Sequence, residues 1–198
     1  MDKADAFLAQ ARSDFKIFER LWELDTAEVP SCHALHHFQM STEKLAKAIL
    51  LYLGSESSDA ETSNEVCPTC GRVAGRRLEN SHIAFRRVMH VLNRGDVARR
   101  LGYSDHPEQF KRFIDSKKSW FLEIEQLCPS IGTEATGGSS NGPNVEYPWQ
   151  GRDTDRNDTW FVPTEHVFPI AQSLRSRDGT NFIVLIRKLL DRVPGAIM

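Results

Sequence analysis

Apolar residues recur at steps of three and four in segment after segment of this chain, and nowhere do they alternate convincingly at a step of two. A step of three or four puts each apolar set on one face of an α-helix, whereas a half-buried strand needs a step of two. The clearest case spans residues 31–53. There Leu35, Phe38, Thr42, Leu45, Ile49 and Tyr52 form one stripe, Leu53 extends it, and Gly54 follows as a stop. Glu43 and Lys47 form a favourable i, i+4 pair on the polar side.

The same reading places a first helix over 3–24, with Phe7, Ala11, Phe15, Phe18, Leu21 and Trp22 on its apolar face. A shorter third helix near 80–93 is marked by Ile83, Val88, Val91 and Leu92, with Asn80 or Ser81 as its cap and Asn93-Arg94-Gly95 as its end. A fourth is expected over about 106–128, carrying Phe110, Phe113, Ile114, Lys117, Phe121, Ile124, Leu127 and Cys128. Pro107 suits its first turn. The last helical region, about 164–192, has Thr164 as a cap and an interruption at Gly179. It is either one kinked helix or two. The expected architecture is an all-α, up-and-down bundle of about five helices in a single domain over residues 1–198.

Two stretches interrupt this pattern. Residues 55–66 are polar and acidic and run into Cys67-Pro68-Thr69-Cys70-Gly71, so 55–80 reads as a surface insertion. Residues 129–163 read as a long loop rich in Gly, Ser, Asn and Pro. Its second half carries Tyr147, Trp149, Trp160 and Phe161. These read as anchors that pack the loop on the helices, not as a stacking platform.

With 25 Lys and Arg against 27 Asp and Glu, the net charge is −2, which excludes a wholly basic nucleic-acid wrapper and an acidic tail. No run approaches the roughly 18 apolar residues that cross a bilayer. No basic-then-apolar leader opens the chain, and the expected setting is the cytoplasm without membrane association. Cys32 and Cys128 fall on apolar helical stripes and read as small buried hydrophobes.

Charge is unevenly spread. Residues 72–100 hold eight arginines against Glu79 and Asp96, a local excess of six positive charges. Such a segment either contacts phosphates or forms a solvated face. Arg86 and Arg87 are its candidate ligand-binding residues. The pair Cys67 and Cys70 has the spacing and the Pro-Gly turn of half a structural zinc site. His82 would serve as a third ligand, and a two-fold mate would supply another Cys-x-x-Cys. Two exposed thiols are the equal alternative. His33, His36 and His37 lie within about one turn and read as metal ligands, titrating groups or a surface histidine cluster.

The stretch His36-His37-Phe38-Gln39-Met40-Ser41-Thr42-Glu43-Lys44-Leu45-Ala46-Lys47-Ala48-Ile49-Leu50 resembles the signature helix of the HEPN (higher eukaryotes and prokaryotes nucleotide-binding) domain. The rest follows in that family's order. An Ala-rich first helix carries Asp14, His82 opens the third helix, and Val145-Glu146-Tyr147-Pro148-Trp149 stands where the family has a form close to Arg-Tyr-Pro. The resemblance spans roughly 3–53 and 80–192. The insertion with its Cys-x-x-Cys, and Glu146 in place of Arg, depart from it.

The resemblance implies a non-catalytic module that binds RNA, a nucleotide or a partner protein, many of its members being two-fold dimers beside a nucleotidyltransferase-type partner. Glu43, Lys44 and Lys47 would line the ligand groove, with Tyr147 on the facing loop. The first three residues themselves read as a polar face or an internal pair in the bundle, with plain surface pairing as the alternative. Other members are metal-independent endoribonucleases, some toxin-like, with Arg-x(4–6)-His near the last helix. Here that spacing occurs at Arg77 and His82, before the third helix, and Leu78 stands where a polar residue is expected. The Arg would stabilise phosphorane charge and the His would serve as acid or base. A third reading is a pure interaction module with a zinc-stiffened insertion.

Overall fold

A computed structural model describes residues 1–24, 28–53, 88–89, 91–101, 103, 106–127, 145–146, 148–152 and 155–197. In order these form α1 (Lys3–Glu23), α2 (Ser31–Tyr52), α3 (Gly95–Arg100), α4 (Pro107–Ser116), α5 (Lys118–Gln126), β1 (Trp149–Arg152), β2 (Asp158–Phe161), α6 (Pro169–Leu174) and α7 (Arg177–Ile197). The chain is a helical bundle, as the spacing of its apolar residues requires.

Helices α1 and α2 end within a residue of their expected limits. Asp2 caps α1 by accepting the Asp5 N–H at 2.8 Å. The two helices run antiparallel, since Asp5 meets Tyr52 at one end and Asp14 meets His37 towards the other. Small residues meet between them. Ala11 and Ser41 are both fully buried, and the Ser41 hydroxyl donates to the Ala11 carbonyl at 2.8 Å.

The core is aromatic at its centre. Phe18 stacks on Phe38 with centroids 4.5 Å apart, and Phe38 meets Phe182 of α7 edge-on at 6.2 Å. Trp120 and Phe121 of α5 close on the same Phe182. Arg12 ties α1 to α7 through two hydrogen bonds to the Leu190 carbonyl, at 2.8 and 3.1 Å. Arg187 returns the tie to Glu19 at 2.8 Å. Residues 88, 89, 91 and 92 are helical and lie within the expected third helix, with Val88 and Leu92 in the core.

Five expectations are corrected. The single helix over 106–128 is two, α4 and α5, parted at Lys117. Lys117 is buried, and its amine pairs with Asp178 at the start of α7 while the Trp120 indole donates to the same carboxylate at 3.0 Å. A polar tie at the break outweighs continuity of the apolar stripe.

The last region is also two helices, but the break is at Arg175–Ser176 and Gly179 lies inside α7. Ser176 caps α7, its hydroxyl accepting the Gly179 N–H at 3.1 Å. Thr164 caps nothing, because the first helix of the pair starts at Pro169, whose ring suits a first turn.

The reading of 129–163 as loop, with no strand in the chain, fails at β1 and β2. They pair antiparallel with Trp149 opposite Phe161 and Arg152 opposite Asp158. Strands this short lack the span for a legible period-2 pattern, and Arg156, at φ 66°, lies in the turn between them. Trp160, finally, is 68% exposed and anchors nothing, while Phe161, on the other face of β2, packs against the core.

Candidate binding site on the polar edge of α1 and α2

The α1–α2 pair carries an unusual density of charge for a helix packing surface. Asp14, Gln39, Glu43 and Lys47 are all buried. Asp14 sits on the Ala-rich helix at the level of His37 and Lys44. It accepts from the Lys44 amine at 2.8 Å and from the Gln10 amide at 3.4 Å, and its other oxygen lies 3.5 Å from His37 Nδ1. Lys44 and His37 reach it because they are seven residues apart, two turns of α2 on one side.

A second line of groups runs up α2 at steps of four. Gln39 donates to Glu43 at 3.1 Å, and Lys47 donates to the other Glu43 oxygen at 2.6 Å. The Glu43–Lys47 pair expected on the polar side is therefore internal, with each residue only 6% exposed. The Lys47 amine also stands 5.7 Å from the Phe7 ring centre.

The histidines complete the edge. His36 Nδ1 lies 3.0 Å from Glu146 Oε1, and the His36 and His37 rings meet edge to face with centroids 5.1 Å apart. Each Nδ1 is turned inward towards a carboxylate without an aligned hydrogen bond among the described residues. The 3.0 Å approach to Glu146 is therefore an ion pair only when the His36 ring is protonated. The rings are about a third exposed, at 32% and 27%, so solvent meets their remaining edges. Burial lowers the His36 pKa below the ordinary histidine value; Glu146 and Asp14 oppose that shift, and His37 and Lys44 reinforce it. The surface-cluster reading of these residues is thus incomplete, because two of the three histidines are half-buried against carboxylates.

Of the candidate ligand residues, the fold brings Glu43, Lys44 and Lys47 to this edge. Arg86, Arg87 and Tyr147 lie outside the described residues, as do Arg77, His82, Cys67 and Cys70. Among the described residues no group of three or more His, Cys, Asp or Glu is placed to hold a metal ion. Gln10 and Gln39 were missed by the sequence reading. The signal for Gln39 was its spacing of four before Glu43. Nothing in the sequence singles out Gln10. Also among the described residues, no helix is long and apolar enough to cross a membrane.

The edge presents both signs within a few ångströms. Lys44 donates, while Asp14 and Glu146 offer carboxylates. Comparison of the chain with protein-family models, with curated proteins and with solved structures gives no match.

Proposed function

We propose that this chain is a HEPN-like, non-catalytic module that binds a nucleotide or RNA along the polar edge of α1 and α2. One observation carries the reading: the edge keeps Asp14, Glu43 and Lys47 buried, with His36, His37 and Lys44 opening to solvent beside them. Well-packed apolar side chains would serve stability at least as well as buried ion pairs. A mixed-sign edge suits a nucleotide, which offers acceptors on phosphate and donors on base and ribose. The resemblance of residues 36–50 to the HEPN signature helix supports the same conclusion. A two-fold dimer belongs to this reading.

The test is equilibrium binding of labelled ATP and of a short labelled RNA in excess EDTA, with intact RNA checked on a gel. Binding that Lys44→Ala weakens tenfold or more, with the helical circular dichroism retained, supports the reading. No binding of either ligand refutes it. Cleavage by the parent that Arg77→Ala and His82→Ala both abolish would replace it with the endoribonuclease reading.

A further inference from the structure

The basic segment ends in α3, and there the fold adds cations from a distant part of the chain. Arg99 and Arg100 form the exposed last turn of α3, and neither has an ionic partner among the described residues. Other arginines are engaged: Arg94 with Asp96 at 2.8 Å, Arg187 with Glu19 and Arg12 with the Leu190 carbonyl.

Next to Arg100, the Leu101 carbonyl receives Arg192 Nη1 from α7 at 2.9 Å. This brings the exposed Arg192 beside the end of α3, and Lys188, also exposed, lies one turn away on the same side of α7. The Arg192 guanidinium lies 5.1 Å from the Tyr103 ring centre. Tyr103 in turn stacks on Phe110 of α4, with centroids 4.1 Å apart and planes 17° apart.

We infer that this corner, Arg99 and Arg100 with Lys188 and Arg192, is a docking surface for the backbone of single-stranded RNA. The inference rests on the nucleotide-or-RNA reading above and chooses RNA. Unpaired, exposed arginines at one corner are what phosphates seek. A guanidinium already backed by an aromatic column offers a flat cation on which an unpaired base stacks. The acids nearby do not cancel the patch. Asp96 is bound by Arg94, which leaves the carboxylates of Asp115, Glu108 and Asp191 on the neighbouring helices against four cations. A membrane surface fits less well, because none of the large exposed apolar side chains among the described residues lies on α3 or α7.

The experiment is fluorescence anisotropy of a labelled single-stranded RNA against rising KCl, with labelled ATP and phosphatidylserine vesicles run beside it. The full chain is compared with Arg99→Ala/Arg100→Ala and with Arg20→Ala, an exposed arginine on α1. The double variant should bind RNA about tenfold more weakly at low salt, with the salt slope smaller by about 1.4, two phosphate contacts' worth. Arg20→Ala should match the parent, and ATP binding should be unchanged in both. Equal RNA affinity and slope in the double variant and the parent would overturn the inference and leave the functional reading standing. ATP binding without RNA binding by the parent would do the same. Vesicle binding that needs these arginines, without RNA binding, would overturn it in favour of a lipid headgroup. Binding of neither ATP nor RNA would sink both.

Discussion

Asp14 on α1 and Lys44 on α2 meet at 2.8 Å across the helix pair, and His37 approaches the same carboxylate from one side. Asp14 is the buried partner, while the Lys44 amine can still reach water. Removing Asp14 frees Lys44 to be hydrated, so the cost is smaller than for a fully buried pair. Asp14→Ala should destabilise the fold by about 1–3 kcal/mol. The urea midpoint would show it, with the slope of the transition unchanged. Lys44→Met should cost more than Asp14→Ala, since it leaves the buried carboxylate without its cation. Equal losses would mean that the two groups are equally desolvated.

The Glu43–Lys47 pair separates stability from function more cleanly. Both members are buried, and truncating one removes the other's ion partner at 2.6 Å. Glu43→Leu alone should cost about 3–5 kcal/mol. Glu43→Leu with Lys47→Met removes both charges and should return most of that loss, because an apolar pair of similar volume is often neutral or better. If the polar edge exists for ligand binding, the double variant folds well and binds ATP or RNA poorly. Chemical denaturation and equilibrium binding on the same preparations settle it. Full binding by the double variant would reduce the pair to a packing element.

Much of this was legible in the sequence, and the reasons differ by element. Helices α1 and α2 were readable because each buries one continuous stripe, so periodicity alone sets their limits. The break at Lys117 was not, because the residue that causes it sits on the apolar stripe and its partner, Asp178, lies in a different helix. Nor was the exposure of Trp160, since an aromatic residue in a loop-like stretch is read as an anchor until strand alternation turns it outward. At the site, the spacing of Glu43 and Lys47 pointed to their pairing, but their burial is a tertiary fact. Glu146 was visible as a departure from the family form, and its contact with His36 was not.

Gly179 makes a sharp packing test. A Cβ at this position would lie 2.4 Å from the Leu174 Cα and 2.5 Å from the Ser173 carbonyl oxygen, both backbone atoms of the preceding turn. Backbone cannot step aside as a flexible side chain can. Gly179→Ala should therefore destabilise by about 1–3 kcal/mol, even though alanine favours helix. Ser176→Ala, which removes the cap on the same N–H, should cost about 1 kcal/mol. In a chain of this size each kcal/mol lowers Tm by roughly 2–4 °C, measurable by thermal circular dichroism. A Gly179→Ala protein melting at or above the parent temperature would show that α6 and α7 can part freely.

His36 gives the fold a pH dependence of known sign. Its folded-state pKa is lowered, chiefly by burial, so the folded chain prefers the neutral ring. As pH falls through the ordinary histidine value near 6.5, the unfolded chain takes up the proton first and gains in relative stability. The contribution of His36 is therefore full above that pH and is lost progressively down to the lower, folded-state pKa. Asp178 has the same sign at lower pH. The Lys117 amine and the Trp120 indole hold its carboxyl below the usual value, so its contribution is present above the ordinary carboxylate range and is lost as acid protonates it. Urea midpoints taken from pH 7.5 to 5 should decline in the parent and decline less in His36→Gln. Below about pH 4, Lys117→Met should flatten the remaining acid limb, because without the amine the Asp178 pKa returns towards its ordinary value. An unchanged upper limb in His36→Gln would assign that titration to another group.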